Sequence, residues 1–268
     1  MTNGEKGLRI LPSLLPPEVQ VLFTSQILHR DLADERHKNN LMPDYNIPFP
    51  GIREGTNHFK SFFTYPQNAS TGANLIPRTP DSAKSLNMAQ FLTSKLRWLT
   101  IGDQYDWPTR SYTRDGPSPF PSDLAKLVQG FFPEIKPQSG VVLLYSGKDY
   151  MPVHRDVSEE CQTALASFSL GCDGIFIVAR GEDDGVGEDR PSTVAIRVRS
   201  GDCIHLDGEA RWAWHAMART IVGTCPDFLS SWPKDTPGAT AEEKKAYSKW
   251  QGFMAGKRLN ISCRQVWD

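Results

Sequence analysis

The sequence predicts a mainly β protein with flanking helices, its strands gathered into a sandwich or barrel. Three observations predict it. Six short β-rich runs, "VVLLY", "GIFIV", "TVAIRVR", "DCIHL", "RWAWHAM" and "LNISCRQV", occupy the second half and are separated by turn or loop signals. Helical patterns are confined to the first half and to one insert, "TAEEKKAYSKWQGFM", just before the last strand. The chain, at 268 residues, is long enough for a sizeable core.

In chain order, "LPSLLPPEVQVLFTSQIL" places Pro and then Glu at the start of an apolar-periodic segment, which predicts a helix from about residue 17. Residues 42–82 are rich in Pro, Gly, Asn and Ser and read as loop. "NMAQFLTSKLRWLTIG" begins helical and turns strand-like. "PFPSDLAKLVQGFF" predicts a short helix capped by Ser122 or Asp123. No internal repeat is visible.

The formal net charge is -1 with 23% charged residues, a globular rather than disordered composition. No apolar run reaches the roughly 20 residues of a membrane span, and the N-terminus lacks signal- or transit-peptide character. A nuclear or cytoplasmic location and no membrane partner are expected, with the mitochondrion left open. The five scattered cysteines form no CxxC pair, so free thiols in a reducing compartment are expected. Asn68-Ala-Ser70 is a formal glycosylation sequon, expected to be idle. Charge is uneven: residues 51–114 hold eight Lys/Arg against four acids, while "GEDDGVGEDR" at 181–190 holds five acids and one Arg. The first stretch suits a polyanion and the second repels one; ordinary scattered surface charge explains both equally well.

"MPVHRDVSEE" carries the chemistry. On a strand, His154 and Asp156 project from one face. An imidazole and a carboxylate on one face, joined by a distant histidine, make the facial triad of non-haem iron(II). His215 in "RWAWHAM" is far enough downstream to supply that third ligand. A second HxD, His205 and Asp207, has only His215 after it, too close to serve from across a barrel. His29, His37 and His58 are expected on the surface of the N-terminal part.

In "KRLNISCRQV", Arg258, Asn260, Ser262 and Arg264 share one face. A half-exposed strand would show this pattern, but so would a buried face that grips a dicarboxylate, since guanidinium pairs bidentately with carboxylate and stays charged when desolvated. The two arginines are too far apart to grip one carboxylate. One would hold the far end of the ligand and the other would lie toward the metal; iron with a dicarboxylate means 2-oxoglutarate.

The order "LLYSGKDYMPVHRD", "SFSLG", "SGDCIHLDGEARWAWHAM", "KRLNISCRQV" resembles the AlkB family of iron(II)- and 2-oxoglutarate-dependent dioxygenases, from about residue 94 to the end. "LRWLTIGDQYDWPTRSYTRDGPSPFPSDL", the serine of "HRDVSEE" and the long insert look most like the AlkB homologue one branch. The resemblance implies a double-stranded β-helix (jelly-roll) domain over 94–268, with residues 1–93 a helix- and loop-rich cover belonging to the same unit. It implies iron(II) on His154, Asp156 and His215, with O2 and 2-oxoglutarate as co-substrates. Tyr145 and Arg258 would bind 2-oxoglutarate, Arg258 at its far carboxylate, with Asn260 and Arg264 supporting it and the metal end. Arg211 matches an arginine of the family's "SRLxxH" segment and is expected near the substrate. The implied reaction oxidises a methyl group on a nucleobase, whose hydroxymethyl product loses formaldehyde.

Two positions depart from the pattern. Leu143 stands where many members have the asparagine of "NxY", and Ser158 stands where direct-repair members carry an acid that faces cationic bases. Neutral or RNA substrates are therefore open.

"GDQYDWPTRSYTR" interleaves Tyr105, Trp107 and Tyr112 with Arg110 and Arg114, as a lid over single-stranded, bulged or flipped-out DNA or RNA would. Such aromatics are as often core anchors. Two other readings stay open here: a 2-oxoglutarate oxygenase acting on a protein or small molecule, and an inactive nucleic-acid-binding module.

Overall fold

The computed structural model describes residues 7–53, 59–68, 73–80, 82–113, 119–179 and 193–268. Its strands are β1 (Leu8–Leu11), β2 (Tyr45–Asn46), β3 (Ile76–Pro77), β4 (Trp98–Gly102), β5 (Tyr105–Asp106), β6 (Ser111–Tyr112), β7 (Ser139–Tyr145), β8 (Met151–His154), β9 (Leu165–Gly171), β10 (Asp173–Ala179), β11 (Thr193–Val198), β12 (Cys203–Leu206), β13 (Trp214–Ile221) and β14 (Arg258–Arg264). The α-helices are α1 (Pro17–Ser25), α2 (Met88–Gln90), α3 (Ser122–Phe131), α4 (Asp227–Ser230) and α5 (Ala241–Tyr247). A six-stranded sheet runs β1-β12-β9-β14-β7-β4, and a four-stranded sheet runs β11-β10-β13-β8. Every pairing in both is antiparallel. This two-sheet arrangement is the expected mainly β, jelly-roll type of fold.

The larger sheet is covered on both faces, which is why β7 reads as a nearly continuous apolar run. Val142 and Leu144 of β7, Phe168 and Leu170 of β9, and Leu259 and Ile261 of β14 turn outward. There they join Phe23, Ile27 and Leu28 of the first helical segment and Leu124 and Val128 of α3 in one core. The alternate residues turn inward, where Tyr145, Leu165, Ile204 and Leu206 meet Phe176, Val178 and Met217 of the smaller sheet. The period of two thus assigns Arg258, Asn260, Ser262 and Arg264 to the inter-sheet space.

Proline at the first helical position starts α1, as expected, and a wider turn over Gln26–Asp31 extends it. The first residues of the chain do more than cover the sheet. β1 forms its edge, with Leu8 opposite Leu206 and Leu11 opposite Cys203. Residues 42–82, where described, hold the β2–β3 pair, one 3-10 turn at Phe62–Thr64 and isolated bridges of Ile52 with Phe59 and Leu75 with Leu86. The insert before β14 contains α5, whose capping box uses Thr240 and Glu243.

Two expectations are corrected. α3 begins at Ser122 with Pro121 at its N-cap and no side-chain cap. Asp123 instead accepts hydrogen bonds from Arg30 at 2.5 Å and Gln26 at 2.6 Å, tying α3 to the helical segment after α1. His37 is buried and His29 is half-buried, where surface positions were expected. His29 stacks on Tyr247 at 4.5 Å and lies 4.8 Å from Trp232. Its ring nitrogens meet the hydroxyls of Ser61 and Thr236 at 2.7 and 3.0 Å. His37 is buried, its Nδ1 donating to the Asp31 carbonyl. Arg, Asp and Asn residues around these histidines give a polar sequence context that hides their enclosure.

All five cysteines are free thiols. His58, Arg114, Ser70 of the sequon and the acidic stretch 181–190 lie outside the described residues. Among those described, no helix is long and apolar enough to cross a membrane.

Candidate active site

Two neighbouring strands of the smaller sheet bring the first pair of site residues together. His154, the last residue of β8, lies opposite His215 of β13, and their ring centroids are 4.3 Å apart. β8 stops there, so Asp156 lies just past the strand rather than on it. It nonetheless keeps to the same side: one ligand atom from each of His154, Asp156 and His215 lies within 4.8 Å of the others. His205 is not among them. It lies in β12, stacked on Phe132 at 4.6 Å and bonded to Glu134.

The histidines are held in the tautomer a metal needs. His154 Nδ1 meets the Pro152 carbonyl at 2.8 Å and His215 Nδ1 meets the Ala213 carbonyl at 3.0 Å. A carbonyl only accepts, so each Nδ1 carries hydrogen and each Nε2 lone pair faces Asp156. The Nε2 atoms are 4.0 and 3.9 Å from the Asp156 oxygens. Burial favours neutral His215, outweighing the pull of Asp156 and setting its pKa below the ordinary value. Burial pushes Asp156 the other way, but Arg264, His215, Arg211 and His154 overcome it and hold the carboxyl at about 2. Two imidazoles and a carboxylate are the donor set of a non-haem iron(II) facial triad, so the residues fit that metal.

The triad faces a cavity of about 690 Å³ between the two sheets, within the usual range for small-molecule sites. Arg264 closes the metal end, its Nη2 3.4 Å from Asp156 Oδ2. Arg258 lies at the other end of the same strand face, opposite Tyr145 in the β7–β14 register. Arg258 is buried, and only its Nη2 has a partner, the Ser169 hydroxyl at 3.0 Å. Its Nε and Nη1 have none among the described residues. Burial draws this guanidinium down to about 10, against the opposing pull of Tyr145 and Asp173. A buried cation with two idle donors is costly; a carboxylate entering the cavity would satisfy both. This is the structural fit to 2-oxoglutarate, and it replaces the half-exposed-strand reading of β14.

Asn260 differs from expectation. Its amide donates to Ser167 Oγ at 2.9 Å and to the Phe168 carbonyl at 2.8 Å. Both amide hydrogens are consumed, so it has no donor left for a carboxylate and instead holds β14 to β9. Leu143, directly opposite it, leaves that stretch of wall apolar.

Arg211 also moves from its expected place. It does not line the cavity; it is buried behind it. There it donates to the Asp156 carbonyl and to Glu159 Oε2, each at 2.8 Å. Glu159 Oε1 accepts from Arg264 at 2.7 Å. Sequence reasoning missed Glu159. The signal available was two arginines with one buried acid within reach, visible only once the strands are paired. Gly174 was missed as well: a Cβ there would sit 2.9 Å from Arg258 Nε and 2.7 Å from Met217 Sδ.

The aromatic residues gather at the mouth. Trp107, 38% exposed, packs against Trp98 at 5.1 Å and edge-on to Tyr105 at 4.9 Å. Tyr112 lies behind Tyr105 at 5.2 Å and is buried, so it supports the wall without offering a face. Ser158 and the Tyr105 hydroxyl approach to 3.4 Å.

Comparisons with known proteins agree with this geometry. A family model described as "2OG-Fe(II) oxygenase superfamily" matches residues 67–264. The chain is 37% identical over 272 residues to the N6-methyladenosine RNA demethylase ALKB1 of Pyricularia oryzae, spanning 97% of this chain and 74% of that protein. It is 41% identical over 230 residues to the N6-methyladenosine RNA demethylase ALKBH of Cryphonectria parasitica, spanning 84% and 98%. It is 30% identical over 268 residues to the tRNA demethylase abh1 of Schizosaccharomyces pombe, spanning 97% and 79%. A solved structure described as "The structure of OsALKBH1" matches in fold, with a TM-score of 0.53 over 97% of both chains at 19% identity.

Proposed function

Because the chain belongs to the 2OG-Fe(II) oxygenase superfamily, and within it to the AlkB family, we propose that it is an iron(II)- and 2-oxoglutarate-dependent oxidative demethylase of methylated nucleobases. The favoured substrate is N6-methyladenine in RNA, the base named for two of its relatives. The single observation that carries the reading is that one cavity holds both the His154–Asp156–His215 triad and the idle donors of Arg258.

Iron, when bound with 2-oxoglutarate and O2, would supply the oxidation: O2 is the oxidant, one of its atoms entering the methyl C–H to give a hydroxymethyl group and the other going to 2-oxoglutarate, which leaves as succinate and CO2. His154, Asp156 and His215 hold the metal through three protein ligands and leave the remaining positions for co-substrate and oxygen. Arg258 anchors the far carboxylate of 2-oxoglutarate, with Tyr145 beside it, and so fixes which end faces the metal. Arg264 neutralises Asp156 from the metal end. The apolar wall of Leu143, Leu165 and Met217 excludes water from the reacting methyl group.

The base is held by stacking. Tyr105 and Trp107 offer aromatic surface at the mouth, at about 1–3 kcal/mol per stacked base. Ser158 offers a hydroxyl where a carboxylate would be needed to offset the desolvation of a cationic base, so neutral bases are accommodated at least as well. Unpaired or bulged sites are preferred, because they spare the cost of unstacking.

The test is turnover of 6-methyladenine and 1-methyladenine, each in single-stranded, bulged and fully paired oligonucleotides of one sequence. Fastest loss of the methyl group from unpaired 6-methyladenine is expected. Fastest turnover of the cationic base in perfect duplex would sink the proposed preference, and no turnover of any of them would favour a protein or small-molecule substrate.

A further inference from the structure

The cavity mouth has two rims, and each carries an exposed arginine that the reaction itself does not use. On one side, the β5–β6 hairpin ends in Arg110, which lines the cavity. Its φ is 54°, in the left-handed region. That conformation is strained for an L residue with a Cβ, and Gly or Asn would relieve it. Keeping a long cationic side chain at such a position points to a use for the side chain.

On the other side, Arg155 sits between two metal ligands. His154 and Asp156 turn toward the cavity, which sends Arg155 to the outer edge of the same wall. Its guanidinium lies 4.7 Å over the ring of Trp214, the residue just before His215 and 40% exposed. Stacking on the indole holds the charge flat at the rim and keeps its hydrogens free for a ligand. Neither Arg155 nor Arg110 has an acidic partner among the described residues. This contrasts with the buried Arg264, which is neutralised by Glu159 and Asp156.

We propose that Arg110 and Arg155 grip the sugar–phosphate backbone on either side of the extruded nucleotide, one from each rim, with Trp214 as the platform that positions Arg155. The inference rests on the nucleic-acid reading above and adds to it a phosphate-binding site. Phosphate contacts of this kind set register without reading sequence. They leave base identity to the cavity, so the clamp serves any sequence that can present an unpaired methylated base. The Arg fork suits a phosphodiester, where a lysine would supply only a point charge.

The experiment measures binding of a single-stranded oligonucleotide carrying one 6-methyladenine to the iron- and 2-oxoglutarate-loaded full chain under anaerobic conditions, over a range of salt concentrations. Arg110→Gln and Arg155→Gln should each reduce the magnitude of the slope of log K against log salt by ~0.7, and the double variant by about twice that. Arg155→Lys should keep the slope while weakening binding, because charge remains and the fork is lost. Trp214→Leu should weaken binding in the same sense, and Lys126→Gln on α3 should change nothing. Thermal melting of each variant checks the fold. Slopes unchanged in both Gln variants, while the wild type binds with a clear salt dependence, would overturn the clamp and leave the demethylase reading standing. A wild type that neither binds nor demethylates the oligonucleotide would overturn both.

Discussion

Glu159 and Arg264 form a buried ion pair, Oε1 to Nη1 at 2.7 Å, directly behind Asp156 of the candidate metal triad. Both side chains are nearly inaccessible, and Arg211 adds a second cation on Oε2. Burial pushes the Glu159 carboxyl up, but the two arginines overcome it and hold it below its ordinary value. The acid is thus the hub that lets two guanidinium groups stand beside Asp156. Glu159→Gln leaves buried charge uncompensated, which should cost about 3–5 kcal/mol of stability. It should also weaken metal binding by about 10–100-fold, as loss of a supporting partner does. Chemical denaturation and an iron(II) titration under anaerobic conditions measure the two effects. Unchanged metal affinity would make Glu159 a purely structural residue.

The triad itself makes a sharper demand. His154→Ala, Asp156→Ala and His215→Ala should each abolish metal binding and turnover with the fold retained. His205→Ala removes a side chain stacked in the core and should lower stability while leaving metal binding in place. Loss of metal from His205→Ala but not from His215→Ala would reverse the assignment.

Arg258 and Gly174 should fail together. Arg258→Ala strands the far carboxylate of 2-oxoglutarate and should weaken its binding by about 2–5 kcal/mol, with Arg258→Lys recovering only part. Gly174→Ala puts a methyl group against Arg258 Nε and should weaken 2-oxoglutarate in the same direction by displacing the guanidinium. Calorimetric titration of 2-oxoglutarate into the metal-loaded variants reads both. Wild-type affinity in Arg258→Ala would place the co-substrate elsewhere.

His29 predicts a pH dependence of stability. Burial lowers its pKa to about 3, against roughly 6.5 in the unfolded chain. The unfolded state therefore takes up a proton that the folded state refuses. Stability from this group is complete above about pH 6.5 and falls as pH drops toward 3, by up to about 1.4 kcal/mol per unit. His29→Gln should be less stable than wild type at pH 7.5, and the gap should narrow by pH 4.5. A constant gap across that range would contradict a neutral His29 enclosed by Trp232 and Tyr247.

The chemistry of the site was legible in the sequence because its residues follow local rules. Period two puts Arg258, Asn260, Ser262 and Arg264 on one face, and a two-residue spacing keeps His154 and Asp156 together even though the strand ends between them. What escaped depends on contacts between distant segments. Glu159 looks like one acid in a polar loop until β14 brings Arg264 to it. The donors of Asn260 look free until β9 supplies Ser167 and the Phe168 carbonyl. β1 is four residues flanked by glycine and proline, too short for a periodic signal, and becomes a strand only through pairing with β12. His29 sits in a polar context, and only the insert two hundred residues on supplies Trp232 and Tyr247 to enclose it.

A single cavity that couples 2-oxoglutarate consumption to removal of a methyl group from a nucleobase must yield matched products. The most direct measurement follows formaldehyde, succinate and the mass of a single-stranded RNA oligonucleotide carrying one 6-methyladenine, incubated with the protein, iron(II), 2-oxoglutarate and oxygen. Formaldehyde and succinate are expected in equal amounts, with an oligonucleotide lighter by one methylene group, and none of these with Asp156→Ala. Succinate formed at the same rate with and without the oligonucleotide, whose mass stays unchanged, would contradict that coupling.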